Sequence, residues 1–316
     1  MQALHWDGNQ LQPCETYPEP QLPPGWALVR VRFAGICSTD LQIFRGYMGF
    51  VGVPGHEFVG EVVAGAASLQ GKRVVGEINF ACGSCEWCQR QLGRHCANRQ
   101  VMGILNADGS FAEYLAVPVA NLHVVPEAVT DEAAVFTEPL AAAFEILAQI
   151  HLLPGTEVVV LGDGKLGLLC AQVLHVAGAY VTIVGKHEKK LAVLRQLGMH
   201  TVVRTEWHPR PVAVVIEATG TTEGLTQAMS IIRPRGTLVL KSTVAQAHTL
   251  SLAPLVINEV TVVGSRCGPF PPALQALAQG HLSVAPLIDQ VYRLTEGVAA
   301  VHHAAQPGVL KVLLRM

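Results

Sequence analysis

The stretch VVVLGDGKLG, residues 158–167, decides the fold of the second half of the chain. It joins a short apolar run to a helix-like segment through Gly162, Gly164 and Gly167. In such a turn the first glycine allows a sharp bend, the second lets the backbone approach a pyrophosphate, and the third lets the helix pack closely on the strand. The same spacing also fits a glycine turn that only packs a helix on a strand. The surrounding sequence has to distinguish this structural turn from a dinucleotide-binding one.

Short apolar stretches and helical segments alternate after this turn. The predicted strands are EVVVLG, YVTIVG, VAVVIEA, GTLVLKS and VTVVGS, and segments such as LGLLCAQVLHVAGA and EKKLAVLRQLG have helical spacing. Short apolar strands with helices between them predict a parallel sheet covered on both faces. In that context the glycine pattern predicts a doubly wound α/β domain that binds a dinucleotide, with the pyrophosphate at the helix N-terminus.

The end of the second strand indicates which dinucleotide. An NAD site usually places Asp or Glu there, about 20 residues after the glycines, to bind the ribose 2′-OH. Here YVTIV is followed by Gly185, Lys186 and His187, so the carboxylate is missing and a cation follows. This favours the 2′-phosphate of NADP over NAD. In the alternative, Lys186 is a solvated loop residue and Glu188 reaches the ribose.

Length and composition limit the number of domains and the classes of function that the chain can have. A chain of 316 residues predicts two domains, and residues up to about 125 contain short β-rich stretches separated by Pro and Gly. The net charge of −2 and the lack of a basic run argue against nucleic-acid binding. The N-terminus lacks the pattern of a signal peptide, and no apolar stretch approaches the roughly 20 residues of a membrane span. We therefore expect a cytoplasmic protein.

Four of the eight cysteines fall within fifteen residues, at Cys82, Cys85, Cys88 and Cys96. In a reducing compartment clustered thiols indicate metal ligands before disulfides. Four thiolates close a tetrahedral zinc site and leave no open position, so the spacing predicts structural zinc. Four unrelated buried thiols, or His95 in place of Cys96, are the alternatives.

A second set of metal-binding residue types is scattered along the chain. Cys37 stands in GICSTD, His56 and Glu57 in PGHEFVG, and Glu138 in TEPLA. Singly, each has an ordinary structural explanation, since a lone Cys is usually a small core residue and an acidic residue at a helix start complements the helix dipole. Spacing alone does not join them.

Together, GICSTD, GHEFVGEV, the four-cysteine segment, EPLA and GDGKLG resemble the zinc-containing medium-chain dehydrogenase family, which includes alcohol, sorbitol, glucose and threonine dehydrogenases. The motifs occur in the family's order and spacing, and the resemblance covers essentially the whole chain. It implies an α/β fold with a β-rich, GroES-like catalytic domain from residues 1–137 and 269–316. Residues 138–268 would form the Rossmann domain, with the active site in the cleft.

The resemblance also implies roles for individual residues. Cys37, His56 and Glu138 would hold catalytic zinc, with Glu57 a ligand that enters or leaves the zinc shell. Thr39 would relay the proton, and Asp40 would orient the histidine. Arg266 in GSRCGP resembles the polyol branch near the cofactor. The implied cofactor-binding set is Gly162, Gly164, Lys165, Leu166, Gly167, Gly185, Lys186, His187 and Arg266.

The implied reaction is the NADP-dependent oxidation of an alcohol, or the reverse reduction, with two zinc ions per chain. Glu138 in place of Cys resembles the polyol and sugar branch more than the simple-alcohol branch. A homodimer or homotetramer through the edge strand near VTVVGS is expected. Two alternatives remain: a zinc-free NADPH-dependent reductase of enones or quinones, and a non-catalytic NADP-binding protein. The retention of Cys37, Thr39, His56 and Glu138 together argues against both.

Overall fold

A computed structural model of the chain describes residues 1–243 and 249–316. The chain divides into two compact units, one formed by Met1–Glu138 with Phe270–Met316 and the other by Pro139–Pro269. No helix in the described ranges has the length and apolar character that a bilayer crossing requires.

The first part of the chain consists mainly of short strands. In chain order they are β1 (Ala3–Trp6), β2 (Leu11–Cys14), β3 (Trp26–Ile36), β4 (Glu57–Ala64), β5 (Arg73–Gly76), β6 (Asn79–Phe80), β7 (Gln100–Met102), β8 (Asn106–Ala107), β9 (Tyr114–Pro118) and β10 (Leu122–Val124). The helices of this part are α1 (Ser38–Ile43), α2 (Glu86–Gln89) and α3 (Asp131–Ala134), and α4 (Thr137–Gln149) continues into the second unit.

Strands and helices alternate in the second unit, as the sequence predicts. The strands are β11 (Glu157–Leu161), β12 (Tyr180–Gly185), β13 (His200–Val203), β14 (Val212–Glu217), β15 (Ile232–Leu240) and β16 (Thr261–Gly264). The helices are α5 (Lys165–Val176), α6 (Glu188–Gln196), α7 (Thr222–Ile231) and α8 (Ala253–Ile257). The chain then returns to the first unit through α9 (Phe270–Ala278), β17 (Ile288–Arg293), α10 (Gly297–Ala304) and β18 (Lys311–Arg315).

The main sheet of the first unit has seven strands in the order β10-β5-β4-β3-β18-β17, and β9 also pairs with β3. Buried and less buried residues alternate along the first part of β3, from Trp26 to Val31, as expected of a strand with one face on a core. Its last three residues, Ala34, Gly35 and Ile36, are all buried. The core against this sheet includes Leu4, Ile36, Phe111, Leu294, Val312 and Leu314. Two small sheets complete the unit, β1-β2 and β6-β7-β8.

The sheet of the second unit is parallel, with strand order β13-β12-β11-β14-β15-β16. Numbered from β11, this is the order 3-2-1-4-5-6 of the doubly wound dinucleotide-binding fold, so the predicted fold class is confirmed. The sequence reading missed β13. That strand has four residues, lies at the edge of the sheet and is only partly buried, so it lacks the apolar run that marks the other strands.

Candidate metal centres and dinucleotide site

The register of two antiparallel strands brings Cys37 and His56 together. Strand β3 ends one residue before Cys37, β4 begins one residue after His56, and Gly35 pairs with Glu57. Because paired residues lie side by side, the residues just beyond the pair also become neighbours. The ligand atoms of Cys37, His56 and Glu57 all lie within 4.8 Å of one another.

Asp40 holds both the thiol residue and the imidazole in place. Cys37 is the N-cap of α1, and its backbone N–H donates to Asp40 Oδ2 at 2.7 Å. The other oxygen, Oδ1, lies 3.2 Å from His56 Nδ1, an ion-pair distance, although the two atoms are not aligned for a hydrogen bond. Asp40 is fully buried and His56 nearly so. With Nδ1 turned to the carboxylate, Nε2 is the nitrogen available to a metal, and Asp40 has the orienting place that the resemblance implies.

The charges around His56 act on its protonation. Full burial lowers the pKa of the imidazole, but the neighbouring Asp40 and Cys37 raise it by more, so the pKa lies well above its usual value. A metal ion would replace the proton as the positive charge of this site, because a histidine ligand binds metal in its neutral form.

Lys311 is a member of this site that the sequence reading missed. It is the first residue of β18, and its ammonium contacts Glu57 Oε2, with both side chains 1% exposed. Burial lowers the pKa of Lys311, but the charge of Glu57 outweighs it, and the net pKa is raised. The ammonium also lies 5.6 Å from the centre of the Phe136 ring. A Cβ at Gly35 would collide with Glu57 Oε2, so only glycine leaves room for this pair.

The signal that could have identified Lys311 is the sequence GVLKVLLRM itself. A single lysine in an otherwise apolar, buried stretch must find a buried anion, since burying an unpaired charge is very unfavourable. The pattern demands a partner but does not say which one, and Glu57 is 254 residues away in sequence.

The residues present fit a zinc ion. The buried Glu57 Oε1 lacks a hydrogen-bond partner among the described residues, whereas the two other such atoms, His56 Nδ1 and Asp40 Oδ1, face each other. Glu57 thus gives one oxygen to Lys311 and keeps the other for a different partner. Thiolate, imidazole and carboxylate are the donors that protein-bound zinc takes.

The other two predicted members of the centre are placed differently. Thr39 is close, with its hydroxyl 3.8 Å from Cys37 Sγ, and is partly buried. Glu138 lies in the first turn of α4 and is partly buried. It does not belong to the group of ligand atoms that cluster within 4.8 Å in the described part of the chain. Its role as a ligand stays a prediction.

The four clustered cysteines form a separate group, carried by the segment between β6 and β7. The Sγ–Sγ distances are 3.5 Å for Cys82–Cys96, 3.5 Å for Cys85–Cys88, 3.7 Å for Cys85–Cys96 and 4.0 Å for Cys82–Cys88. Zn–S bonds of about 2.3 Å in a tetrahedron place the sulfurs about 3.8 Å apart. Disulfide sulfurs are only about 2.05 Å apart. The spacing is therefore that of a closed zinc site.

Backbone hydrogen bonds favour the thiolate of Cys82, whereas desolvation and the neighbouring thiols disfavour that of Cys88. Hydrogen bonds from the backbone of Ser84 and Cys85 lower the pKa of the Cys82 thiol to about 5. Desolvation is the largest cause that raises the pKa of Cys88 to about 12, and contacts with the neighbouring thiols add to it. The backbone N–H of Cys82 also donates to Cys96 Sγ at 3.4 Å. Four thiolates so close together repel one another, and a divalent cation removes that repulsion.

The glycine-rich turn has the geometry that dinucleotide binding requires. Gly162 has φ +116°, and a Cβ there would lie 2.5 Å from the carbonyl oxygen of Ala218. A Cβ at Gly167 would collide with the carbonyl oxygen of Gly162, so the third glycine allows α5 to pack on the turn. Gly164 is the N-cap of α5 and has open space around it. Lys165 and Leu166 then form the start of the helix.

The end of β12 lies beside this turn, since β11 and β12 are neighbours in the sheet. Gly185 is buried, Lys186 is exposed and His187 is partly exposed. Glu188 forms a two-point ion pair with Arg195, at 2.5 and 3.2 Å. Arg266 follows β16 and has an exposed side chain, and its carbonyl accepts a hydrogen bond from Lys241 at 3.0 Å.

Comparison with known proteins relates both units to dehydrogenases. Residues 23–127 match the family model of the alcohol dehydrogenase GroES-like domain, and residues 166–279 match that of zinc-binding dehydrogenases. The chain is 31% identical to L-threonine 3-dehydrogenase of Streptomyces avermitilis, covering 94% of both chains. It is 29% identical to sorbitol dehydrogenase of Halalkalibacterium halodurans, covering 94% of this chain and 93% of the relative.

Two similar solved structures contain a nicotinamide cofactor. A Sinorhizobium meliloti 1021 protein bound to NADP is 28% identical, with a TM-score of 0.90 over 100% of this chain and 99% of the other. An alcohol dehydrogenase from Escherichia coli CFT073 complexed with NADH is 26% identical, with a TM-score of 0.91 over the same shares. The two differ in cofactor, so similarity alone does not select NAD or NADP.

The cysteine group generates a first prediction. Replacing Cys85 with Ser should remove one zinc equivalent per chain and lower the thermal unfolding midpoint by roughly 5 °C or more, since each kcal/mol shifts the midpoint by about 2–4 °C. Metal analysis and a thermal melt measure the two effects. Cys14→Ser is the matched control, because Cys14 belongs to neither metal group. An unchanged midpoint and zinc content in Cys85→Ser would refute structural zinc here.

The buried ion pair generates a second prediction. Lys311→Met should destabilise the fold by roughly 3–5 kcal/mol, because it leaves the carboxylate of Glu57 buried and uncompensated. The double variant Glu57→Gln with Lys311→Met should be less destabilised than Lys311→Met alone. Lys311→Arg keeps the charge and serves as the control. Urea unfolding measures each variant, and equal midpoints for Lys311→Met and the unaltered chain would contradict the pairing.

Proposed function

The chain belongs to the zinc-type medium-chain dehydrogenase/reductase family and is a dehydrogenase, and on that basis we propose a zinc- and NADP-dependent enzyme that oxidises a polyol, a sugar or another secondary alcohol to a carbonyl compound, or reduces the carbonyl. The single observation that supports zinc-dependent chemistry best is the convergence of Cys37, His56 and Glu57, with the buried Glu57 Oε1 lacking a hydrogen-bond partner within the described ranges.

We propose that Cys37, His56 and one carboxylate hold the catalytic zinc. The geometry favours Glu57 as that carboxylate, since it lies in the cluster, and Glu138 is the second candidate. When bound, zinc supplies Lewis acidity that lowers the pKa of the substrate alcohol, and the nicotinamide accepts the hydride.

The residues of the chain divide the remaining work. Asp40 fixes the orientation of His56 and the backbone of Cys37. Lys311 holds one oxygen of Glu57 and so limits the carboxylate to one free oxygen. We assign Thr39 the relay of the alcohol proton, and the position of its hydroxyl 3.8 Å from Cys37 Sγ supports this role. The similarity to a sorbitol dehydrogenase and the sequence of the Glu138 motif support the proposed substrate class.

The NADP preference rests on the end of β12. Position 185 has no side chain to bind a ribose hydroxyl, and the exposed Lys186 follows it. The alternative ribose ligand, Glu188, is already paired with Arg195 through two contacts. A 2′-phosphate therefore meets a cation and no competing free carboxylate from α6 at this position.

The proposed assembly is a homodimer or homotetramer through β16. This strand lies at one edge of the parallel sheet, and its second side offers backbone groups to another strand. Apolar side chains near it are exposed, with Val262 at 42% and Val256 and Ile257 both at 77%. Pairing of two copies at this edge would cover them.

The third prediction tests the catalytic metal. Cys37→Ser and His56→Ala should each abolish turnover and remove one of two zinc equivalents, while leaving the four-cysteine zinc in place. Zinc analysis, circular dichroism and the oxidation of an alcohol panel with NADP measure these effects. Full activity in a metal-free preparation, or in His56→Ala, would instead support a zinc-free reductase.

Variants of Thr39 distinguish proton transfer from metal binding in the same assays. Thr39→Ala should retain both zinc ions and lower kcat by about 10²-fold, in the range of general acid–base contributions. Thr39→Ser keeps a hydroxyl and should restore most of the rate. If Thr39→Ala and Thr39→Ser have equal kcat, Thr39 is not the relay.

The fourth prediction concerns the cofactor. Lys186→Ala should lower kcat/KM for NADP by about tenfold and leave that for NAD nearly unchanged, because the lost contact is a charge-assisted one to the 2′-phosphate. Raising the salt concentration should weaken NADP binding in the unaltered chain and less so in the variant. Lys189→Ala is the matched control, because Lys189 is also an exposed lysine, and it should leave the preference for NADP unchanged. Equal efficiency of the unaltered chain with NAD and NADP would contradict the proposal.

A further inference from the structure

The space for a side chain at the end of β12 is filled from elsewhere. A Cβ built on Gly185 would collide with the Cβ of Asp163 and lie 2.7 Å from both its Cγ and its Oδ2. Asp163 stands between the first two glycines of the turn after β11. Its side chain therefore occupies the volume in which a carboxylate at position 185 would begin.

The carboxylate of Asp163 binds the loop that follows β12. Its Oδ2 accepts hydrogen bonds from the backbone N–H groups of Lys186 at 2.8 Å and His187 at 2.6 Å. The same oxygen lies 3.0 Å from His187 Nδ1. Asp163 is only 7% exposed. One buried carboxylate thus joins the glycine-rich turn to residues 186–187.

These contacts change what the carboxylate does for a ligand. In an NAD site the carboxylate at this end of the sheet accepts hydrogen bonds from the ribose. Here Oδ2 already has three donors, and the backbone dipoles and the imidazole offset its negative charge. A 2′-phosphate at this position would meet less repulsion than beside a carboxylate without such partners.

The same contacts orient the cationic residues. Lys186 and His187 lie between the end of β12 and the start of α6, where His187 is the N-cap. With both backbone N–H groups bound to Asp163, the main chain at these residues is held in one conformation. Lys186 then starts from a fixed backbone position, which reduces the entropy lost when its ammonium binds a phosphate.

We propose that Asp163 is a specificity-determining residue of the cofactor site: it excludes a ribose-binding carboxylate from position 185 and holds Lys186 and His187 in place to bind the 2′-phosphate of NADP. The proposal rests on the NADP preference proposed above. In the general glycine motif the residue between the first two glycines has no fixed type. The proposal gives this residue a role in selecting the cofactor.

Binding of two cofactor fragments tests this without zinc or turnover. Adenosine 2′,5′-bisphosphate and 5′-AMP differ by the 2′-phosphate alone, and isothermal titration gives the Kd of each. The unaltered chain should bind the bisphosphate more tightly. Asp163→Ala should reduce that selectivity by about tenfold, mainly through weaker binding of the bisphosphate. Asp163→Leu keeps a branched side chain of similar size but accepts no hydrogen bond from Lys186 or His187, so it should show the same direction and carries the test if Asp163→Ala does not fold.

A pair of variants tests the shared space. Gly185→Asp alone should lower the thermal midpoint, because two carboxylate side chains would compete for one volume. The same change combined with Asp163→Ala should regain stability relative to Gly185→Asp alone, and it should bind 5′-AMP more tightly than the bisphosphate. If the combination is as unstable as Gly185→Asp alone, Asp163 is not what excludes a side chain at 185, and the proposal is wrong.

The remaining outcomes separate this proposal from the one on which it rests. If the unaltered chain does not prefer the bisphosphate, the NADP preference fails and the role of Asp163 fails with it. If the chain prefers the bisphosphate and both Asp163 variants keep the full selectivity, only the role of Asp163 is overturned. If the Asp163 variants lose 5′-AMP binding at least as strongly as bisphosphate binding, Asp163 itself binds the ribose, and the proposal is again overturned.

Discussion

The antiparallel register that pairs Gly35 with Glu57 is the constraint on which the candidate metal centre depends. It makes Cys37 and His56 neighbours and puts the carboxylate of Glu57 beside them. A shift of one residue would turn every side chain of β4 to the opposite face of the sheet. Gly35 is part of the constraint, because any larger residue there would take the space of Glu57 Oε2. The strands thus determine the centre before any metal is bound.

This arrangement buries four ionisable side chains, at Asp40, His56, Glu57 and Lys311, each no more than 3% exposed. Isolated charges in such a place are strongly unfavourable, so each must be offset by a neighbour. Lys311 offsets Glu57, and the protonated His56 offsets Asp40. Zinc binds histidine in its neutral form and cysteine as the thiolate, so one divalent cation would replace two protons, those of His56 and Cys37, and the balance of charge would be kept. The sheet therefore contains two buried charge pairs, whose members lie in α1, in β4 and just before it, and in β18, and apolar packing alone does not explain it.

The sequence predicts the parts of this protein whose signal is local. The glycine spacing, the alternation of strands and helices, and the four cysteines within fifteen residues can each be recognised in a short window, and the doubly wound sheet is confirmed. Lys311 was missed because its partner is 254 residues away, and Asp163 because its position in the glycine motif has no fixed residue type. β13 was missed because an exposed edge strand of four residues has little apolar pattern. Cys37, His56 and Glu57 could be joined only through resemblance to a family, since spacing does not reveal strand register.

The same difference between local and distant contacts separates the two metal groups physically. The four thiols lie on one short segment, and backbone N–H groups of that segment already bind the sulfurs. Ordering them requires closing short loops, which costs little chain entropy. The group of Cys37, His56 and Glu57 requires β3, β4 and β18 to be paired, which joins residues from both ends of the chain. Partial unfolding of the seven-stranded sheet must therefore disperse the second group, whereas the first can persist on its own segment. Loss of metal from the four-cysteine group would therefore indicate unfolding of one loop. Loss of metal from the other group would indicate that the strands of the sheet are no longer paired in register.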